Sequence, residues 1–240
     1  MTTPKLPEGE LLYAVGDIHG RSDLLATLLR AIEADAATSE AEKRTLVFLG
    51  DYVDRGPDTR GVIEMLISGL PQGFEAHFLK GNHEALLLGF LDDPSSLDAW
   101  LLNDGDVTMA SYGVHVDALY RARARAGEWR DAFAASLPEA HLSFFRDLKL
   151  SVARGDYFFV HAGIKPGVAL AAQTEDDLVW IRRPFLDWNH PFEKFVVHGH
   201  TPAHEPVTRA NRICVDTGAC FTGRLTALRL ENDTRRFLQT

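Results

Sequence analysis

Gly50-Asp51-Tyr52-Val53-Asp54-Arg55-Gly56 follows directly on Leu46-Val47-Phe48-Leu49, and this junction decides the fold class. The apolar run has the length and composition of a buried strand and the glycines mark a turn, so two carboxylates and an arginine emerge together at a strand's carboxyl end. Open α/β sheets hold their ligands at that place. Asp51 and Asp54 would repel each other in a dry loop, and one arginine is a poor match for both. A metal ion resolves the conflict; a polar loop with an internal Asp-Arg pair is the plainer alternative.

The same pattern recurs on both sides of the junction. Leu11-Leu12-Tyr13-Ala14-Val15 reads as a strand ending in Gly16-Asp17-Ile18-His19-Gly20. A helix follows, with Ser22 and Asp23 as caps and Leu24, Leu25, Leu28, Leu29 and Ile32 at helical spacing. After the Asp51 loop, Thr59 is expected to cap a helix carrying Val62, Ile63, Leu66, Ile67 and Leu70. A strand over 75–79 then leads into Lys80-Gly81-Asn82-His83-Glu84 and a helix over 85–91. Three strand-loop-helix units in succession predict an α/β fold with a partly parallel sheet under covering helices.

From about 92 to 148 the strand signal lapses, and Trp100, Leu119, Trp129 and Phe133 fit short helices, so this stretch is predicted as a helical insert over the sheet's edge. Arg121, Arg123, Arg125 and Arg130 scatter around such helices and read as a solvated surface. Leu150-Ser151-Val152 and Tyr157-Phe158-Phe159-Val160 then form a hairpin that ends at His161. Phe195-Val196-Val197 is a further strand, running into His198-Gly199-His200-Thr201-Pro202, and strands over 212–216 and 225–230 close the chain.

The composition, 45% hydrophobic and 25% charged over 240 residues, suits a single globular domain over 1–240, long enough to bury roughly 70% of its unfolded surface. No apolar run approaches the ~18 residues of a membrane span and the N-terminus lacks a signal-peptide core, so a cytoplasmic protein without a membrane partner is expected. A formal net charge of −9 argues against nucleic acid as a partner, because that polyanion rewards a basic surface. It does not exclude a phosphorylated substrate, since metals and arginines can dominate the field inside one cleft. Cys214 and Cys220 are too few for a disulfide framework and read as two small core residues.

Asp17, His19, Asp51, Asn82, His161 and His200 each lie just past a strand. Carboxylate, imidazole and amide oxygen together suit manganese, iron or zinc, and six such groups exceed the needs of one tetrahedral ion. Two ions sharing Asp51 account for the number. Held roughly 3.5–4 Å apart, such ions clamp the attacking and leaving oxygens of an in-line displacement at phosphorus, so the indicated chemistry is phosphoester hydrolysis.

Gly16-Asp17-Ile18-His19-Gly20, Gly50-Asp51-Tyr52-Val53-Asp54-Arg55-Gly56 and Gly81-Asn82-His83-Glu84, with His161 and His198-Gly199-His200-Thr201 after them, resemble the signature blocks of the phosphoprotein phosphatase family of the metallophosphoesterase superfamily. The resemblance spans residues 13–220 and is to the compact bacterial and phage type. It implies a four-layer α/β/β/α sandwich with mixed sheets and a dinuclear centre. Asp17, His19 and Asp51 would hold the first ion, and Asp51, Asn82, His161 and His200 the second. His83 would be the general acid, oriented by Asp54. Independently, a carboxylate partner raises an imidazole's pKa so that it keeps a proton for a leaving group.

Arg55 and Asn82 would contact the phosphoryl group, together with Arg182 of Trp180-Ile181-Arg182, for which the neighbouring Arg183 is the alternative. On a strand the two would face opposite ways. The implied activity is hydrolysis of phosphoserine and phosphothreonine in proteins, with phosphotyrosine as a further substrate, by a hydroxide held between two ions. Manganese is the expected metal, with iron or zinc as alternatives, and no regulatory subunit is inferable. Hydrolysis of dinucleoside polyphosphates is the rival activity; the Asp54-Arg55 pair and the Glu84 ending of the third block favour the protein phosphatase branch. A silent scaffold is the other rival, and no expected ligand is missing. Pro202 stands where the wider superfamily has a second histidine, which leaves the first ion one nitrogen fewer.

Overall fold

In the computed structural model, which describes residues 3–240, strands β1 (Glu10–Val15), β2 (Lys43–Phe48) and β3 (Phe74–Phe78) run parallel. Helices α1 (Ser22–Ala36) and α2 (Thr59–Ser68) connect them, and α3 (Asn82–Asp92) leaves β3. The closing pair, β9 (Thr226–Glu231) and β10 (Thr234–Gln239), adds antiparallel to β1, so the sheet order is β10-β9-β1-β2-β3. A second sheet is built from β4 (Ser151–Arg154), β5 (Tyr157–Val160), β6 (Phe195–His198), β7 (Val207–Thr208) and β8 (Arg212–Cys214). Its order is β4-β5-β6-β8-β7, with β5, β6 and β8 parallel and both edge strands antiparallel.

The period-two alternation of the strands decides which residues join which core. Leu12, Ala14 and Val47 pack between the sheets with Tyr157, Phe159, Val197 and Ile213. Leu11, Tyr13, Val15, Leu46 and Phe48 turn the other way, onto the apolar faces of α1 and α2. Burial on both faces is why these strands read as unbroken apolar runs. On the far side of the second sheet, Phe158, Val160 and Val196 pack with Leu178 of the short helix α9 (Glu175–Trp180) and with Phe185. The layers are therefore α/β/β/α, the last one thin.

Residues 97–146 form five short helices, α4 (Leu97–Leu101), α5 (Gly105–Ser111), α6 (Val116–Ala122), α7 (Ala126–Ser136) and α8 (Glu139–Arg146). Phe144 of α8 packs edge-on against Phe78 of edge strand β3, with ring centroids 5.0 Å apart. Trp100, Met109, Trp129, Phe133 and Phe145 are buried in the same core as α1 and α2, so these helices thicken the outer layer as well as covering an edge. Among the described residues no helix is long and apolar enough to cross a membrane.

Several local expectations are corrected. Ser22 and Asp23 do not cap α1: Ser22 Oγ donates to Asp58, and Asp23 pairs with Arg21. Asp58, not Thr59, caps α2 by accepting from Gly61 N at 3.0 Å, because the buried Thr59 hydroxyl is turned to Thr108. Strands β7 and β10 and helices α9 and α10 (Ala219–Thr222) carry no clear apolar period and were not expected. β10 is a mostly exposed edge strand whose two arginines discourage further pairing. Cys214 is buried as expected, but Cys220 is only half-buried.

Phe133→Ala is expected to lower unfolding free energy by about 3–5 kcal/mol, the range for emptying a buried aromatic site. Denaturation should remain a single transition by far-UV dichroism and tryptophan fluorescence. A separate early transition would mean that residues 97–146 do not share the main core.

Candidate active site

Loops at the carboxyl ends of β1, β2, β3, β5 and β6 converge between the two sheets, and their backbones leave the strand region sharply. His19, Asp51, Asp54, Arg55 and His200 all have positive φ, between 44° and 67°. For residues with a Cβ this costs about 1–2 kcal/mol each and persists only where surrounding contacts hold it. Glu84 supplies those contacts for the Asp51 loop. Its buried carboxylate accepts backbone N–H bonds from Asp51 (2.9 Å), Tyr52 (2.8 Å), Val53 (3.3 Å) and Gly81 (2.9 Å). The last bond also closes the first turn of α3.

Asp51 is the hub. Its Oδ2 lies 3.5 Å from His19 Nε2 and 3.9 Å from His83 Nε2, while its Oδ1 lies 3.5 Å from His161 Nε2. The close-set donors fall into two triads that share this residue: His19, Asp51 and His83, and Asp51, His161 and His200. Asn82 joins the second, its Oδ1 standing 3.0 Å from His161 Nε2 and 2.8 Å from His200 Nδ1. His19 and His161 each direct Nδ1 at a backbone carbonyl, of Val53 and Leu49 respectively. This fixes the tautomer and leaves Nε2 facing Asp51, the usual posture of a metal-binding imidazole.

Asp17 lies outside the first triad. Its Oδ2 accepts from His200 N at 3.0 Å, while its Oδ1 is buried without a hydrogen-bond partner. A Cβ at Gly199 would come within 2.0 Å of that oxygen, and one at Gly81 within 2.1 Å of Asp51 Oδ1, so only glycine lets these carboxylates sit where they do. Burial and then the neighbouring Asp216 and Asp51 push Asp17 well above the usual carboxylate range; burial also raises Asp216, to about 6. Burial holds His19 and His200 down to about 3, and His161 is lowered for the same reason. Three crowded carboxylates, one with an orphaned oxygen, beside uncharged imidazoles make a donor set that fits divalent cations.

Burial opposes a charge on His83, but Asp51 and Asp54 outweigh it and its pKa is raised. His83 Nδ1 is 2.7 Å from Asp54 Oδ2. Asp54 is held in turn by the Trp100 indole at 3.0 Å and the Thr108 hydroxyl at 2.7 Å, both from the inserted helices. Arg55 directs Nη1 at His19 Nε2 (2.9 Å), and Arg182 donates from Nε to His200 Nε2 (3.2 Å), so one guanidinium stands beside each triad. Arg183 is 81% exposed and pairs with Asp187. The two arginines lie in a turn after α9 and not on a strand, so strand alternation is not what separates them.

Four residues support the site in ways the sequence motifs do not assign: Asp216, Glu84, Trp100 and Thr108. Asp216 follows a strand and precedes Thr217-Gly218, the same grammar as Asp17 and Asp51, and could have been found by it. Glu84 stands three residues past Gly81, the capping-box position. Trp100 and Thr108 carry no such signal, because only the tertiary fold brings them to Asp54.

The fold and the shared-carboxylate site define a metallophosphoesterase. The calcineurin-like phosphoesterase family matches residues 11–228, and the chain belongs to that family of metal-dependent phosphoester hydrolases. It is 28% identical to the asymmetrical bis(5'-nucleosyl)-tetraphosphatase PrpE of Anoxybacillus flavithermus, over 90% of this chain and 88% of that one. It is likewise 28% identical to serine/threonine-protein phosphatase 1 of Salmonella typhimurium, over 92% of each. The crystal structure of a putative diadenosine tetraphosphatase shares the fold with a TM-score of 0.66 at 22% identity, covering 95% of this chain and 93% of that one.

Two outcomes are expected of this site. Glu84→Gln turns an amide donor toward backbone donors and should cost roughly 3 kcal/mol in urea denaturation, with weaker manganese binding by calorimetry. Manganese added to chelator-stripped protein at a hundred times its Kd should stabilise it by about 2.7 kcal/mol per site, read as a rise in Tm. No rise would show that the carboxylates are not relieved by cations.

Proposed function

We propose that the chain is a phosphomonoesterase of the phosphoprotein phosphatase type, acting on phosphoserine and phosphothreonine side chains and on phosphotyrosine. The posture of Asp51 carries this reading: its two oxygens address separate donor sets, with Asp17 and Asp216 buried nearby. A cleft of about 290 Å³ opens over this residue, with Arg55, His83 and Arg182 in its walls. Two divalent ions, manganese with iron or zinc as alternatives, would supply the activated water and offset charge on the phosphoryl oxygens.

The remaining work falls to the chain's own side chains. Arg55 and Arg182 stand beside opposite triads and would grip a phosphoryl group through their planar forks, with Asn82 in the lining of the same cleft. His83 is anchored through Nδ1 and presents Nε2 toward the cleft. Its raised pKa keeps the proton that the departing oxygen needs.

The relatives named as tetraphosphatases support a second reading, hydrolysis of dinucleoside polyphosphates. Against it, Arg55 and Arg182 are the only arginine or lysine side chains lining the cleft among the described residues. They match one phosphoryl group, and beyond it the cleft lining offers a polyphosphate chain no further cationic side chain. With manganese, kcat/KM on a phosphoserine peptide should exceed that on diadenosine tetraphosphate; the reverse order would assign the chain to the second reading. His83→Asn should slow turnover of the phosphoserine peptide by at least about a hundredfold with metal content unchanged. An unaltered rate would remove His83 from the reaction.

A further inference from the structure

Two large, exposed aromatic side chains stand at the mouth of the cleft. Phe221 (71% exposed) and Trp180 (39%) line it. Single exposed apolar residues need no explanation, whereas a group of them around a charged cleft marks a contact surface. Rigid elements fix their positions. Phe221 stands on the single turn of α10, which begins at left-handed Gly218 and ends at left-handed Gly223. Thr222 Oγ1 ties that turn back to the carbonyls of Thr217 and Gly218. Trp180 closes α9 and meets His200 edge-on, with ring centroids 6.4 Å apart.

The Arg55 guanidinium carbon lies 5.4 Å from the centroid of the Phe221 ring, while its Nη1 reaches His19. One arginine therefore spans from the metal-facing imidazole to the exposed ring. Trp180 stands in the corresponding place beside the second triad, where Arg182 meets the same His200.

We propose that Phe221 and Trp180 are specificity-determining residues that receive a planar aryl group on the leaving side of the phosphoester, the ring of a phosphotyrosyl residue in a peptide. This rests on the phosphomonoesterase reading above. In an aryl phosphate a single oxygen joins ring and phosphorus, and with the Phe221 ring centroid only 5.4 Å from the Arg55 guanidinium carbon, a phosphoryl group on that fork can carry its ring into stacking range of Phe221. A phosphoserine offers one methylene there and nothing to stack. A nucleobase is held away by its ribose.

The test compares kcat/KM on phosphotyrosine and phosphoserine peptides of identical flanking sequence. Phe221→Ala should lower the phosphotyrosine-to-phosphoserine ratio about tenfold, mainly through KM, and Trp180→Ala should lower it in the same sense. Phe221→Tyr should keep the ratio, and so should Phe237→Ala, an exposed phenylalanine on β10. Calorimetric binding of phenylphosphonate against methylphosphonate reads the rim without turnover, with an aryl preference expected in the unaltered protein and lost in Phe221→Ala. That preference in a protein that hydrolyses neither peptide would sink the phosphomonoesterase reading and keep the rim. An unmoved ratio and no aryl preference would overturn the proposal, as would a Phe221→Ala loss confined to diadenosine tetraphosphate.

Discussion

One buried carboxylate holds the centre in shape. Glu84 receives four backbone N–H groups from two loops, and without that acceptor the left-handed backbone at Asp51 would have little to oppose its strain. Because Glu84 sits in the first turn of α3 and the loop it captures follows β2, the contact locks neighbouring strand ends together. Asp51 then points one oxygen toward each donor set. Burial and the neighbouring Asp51 raise the Glu84 carboxyl to about 7, while the backbone donors of Gly81 and Tyr52 favour its ionised form.

The second support comes from the inserted helices. Burial raises the pKa of the Asp54 carboxyl, and hydrogen bonds with His83, Thr108 and Trp100 oppose that rise. By donating to both oxygens of Asp54, the insert fixes the acid that fixes His83. The same segment places Asn103 in the cleft lining, so it reaches both the interior of the site and its wall. Fold and site are coupled there: a core aromatic, Trp100, packs on Phe90 and Phe133 while its indole nitrogen donates to the Asp54 carboxyl that holds His83.

Much of this was legible in the residues. The three early strands announced themselves as apolar runs because both of their faces are buried, and each ended in a glycine-flanked loop with a metal-capable side chain. The expected α/β/β/α layering is the one observed. Edge strand β10 was hidden because exposure removes the apolar alternation, and the short α9 and α10 because a turn or two of helix has no measurable period. At the site, Asp51, His161, His200 and Asn82 lie together, while Asp17 is turned toward Gly199 and Asp216, a neighbour that the motif blocks did not include. Motif spacing picks Arg182 over Arg183, whereas strand alternation does not apply in the loop after α9; Arg182 is directed at His200 and its neighbour stands in water.

Every inference about activity depends on cations meeting at one shared aspartate. Anomalous diffraction from crystals grown with excess manganese measures this directly. Two peaks roughly 3.5–4 Å apart, one on each side of Asp51, are predicted. A map with no peak within coordination distance of either Asp51 oxygen would contradict the account.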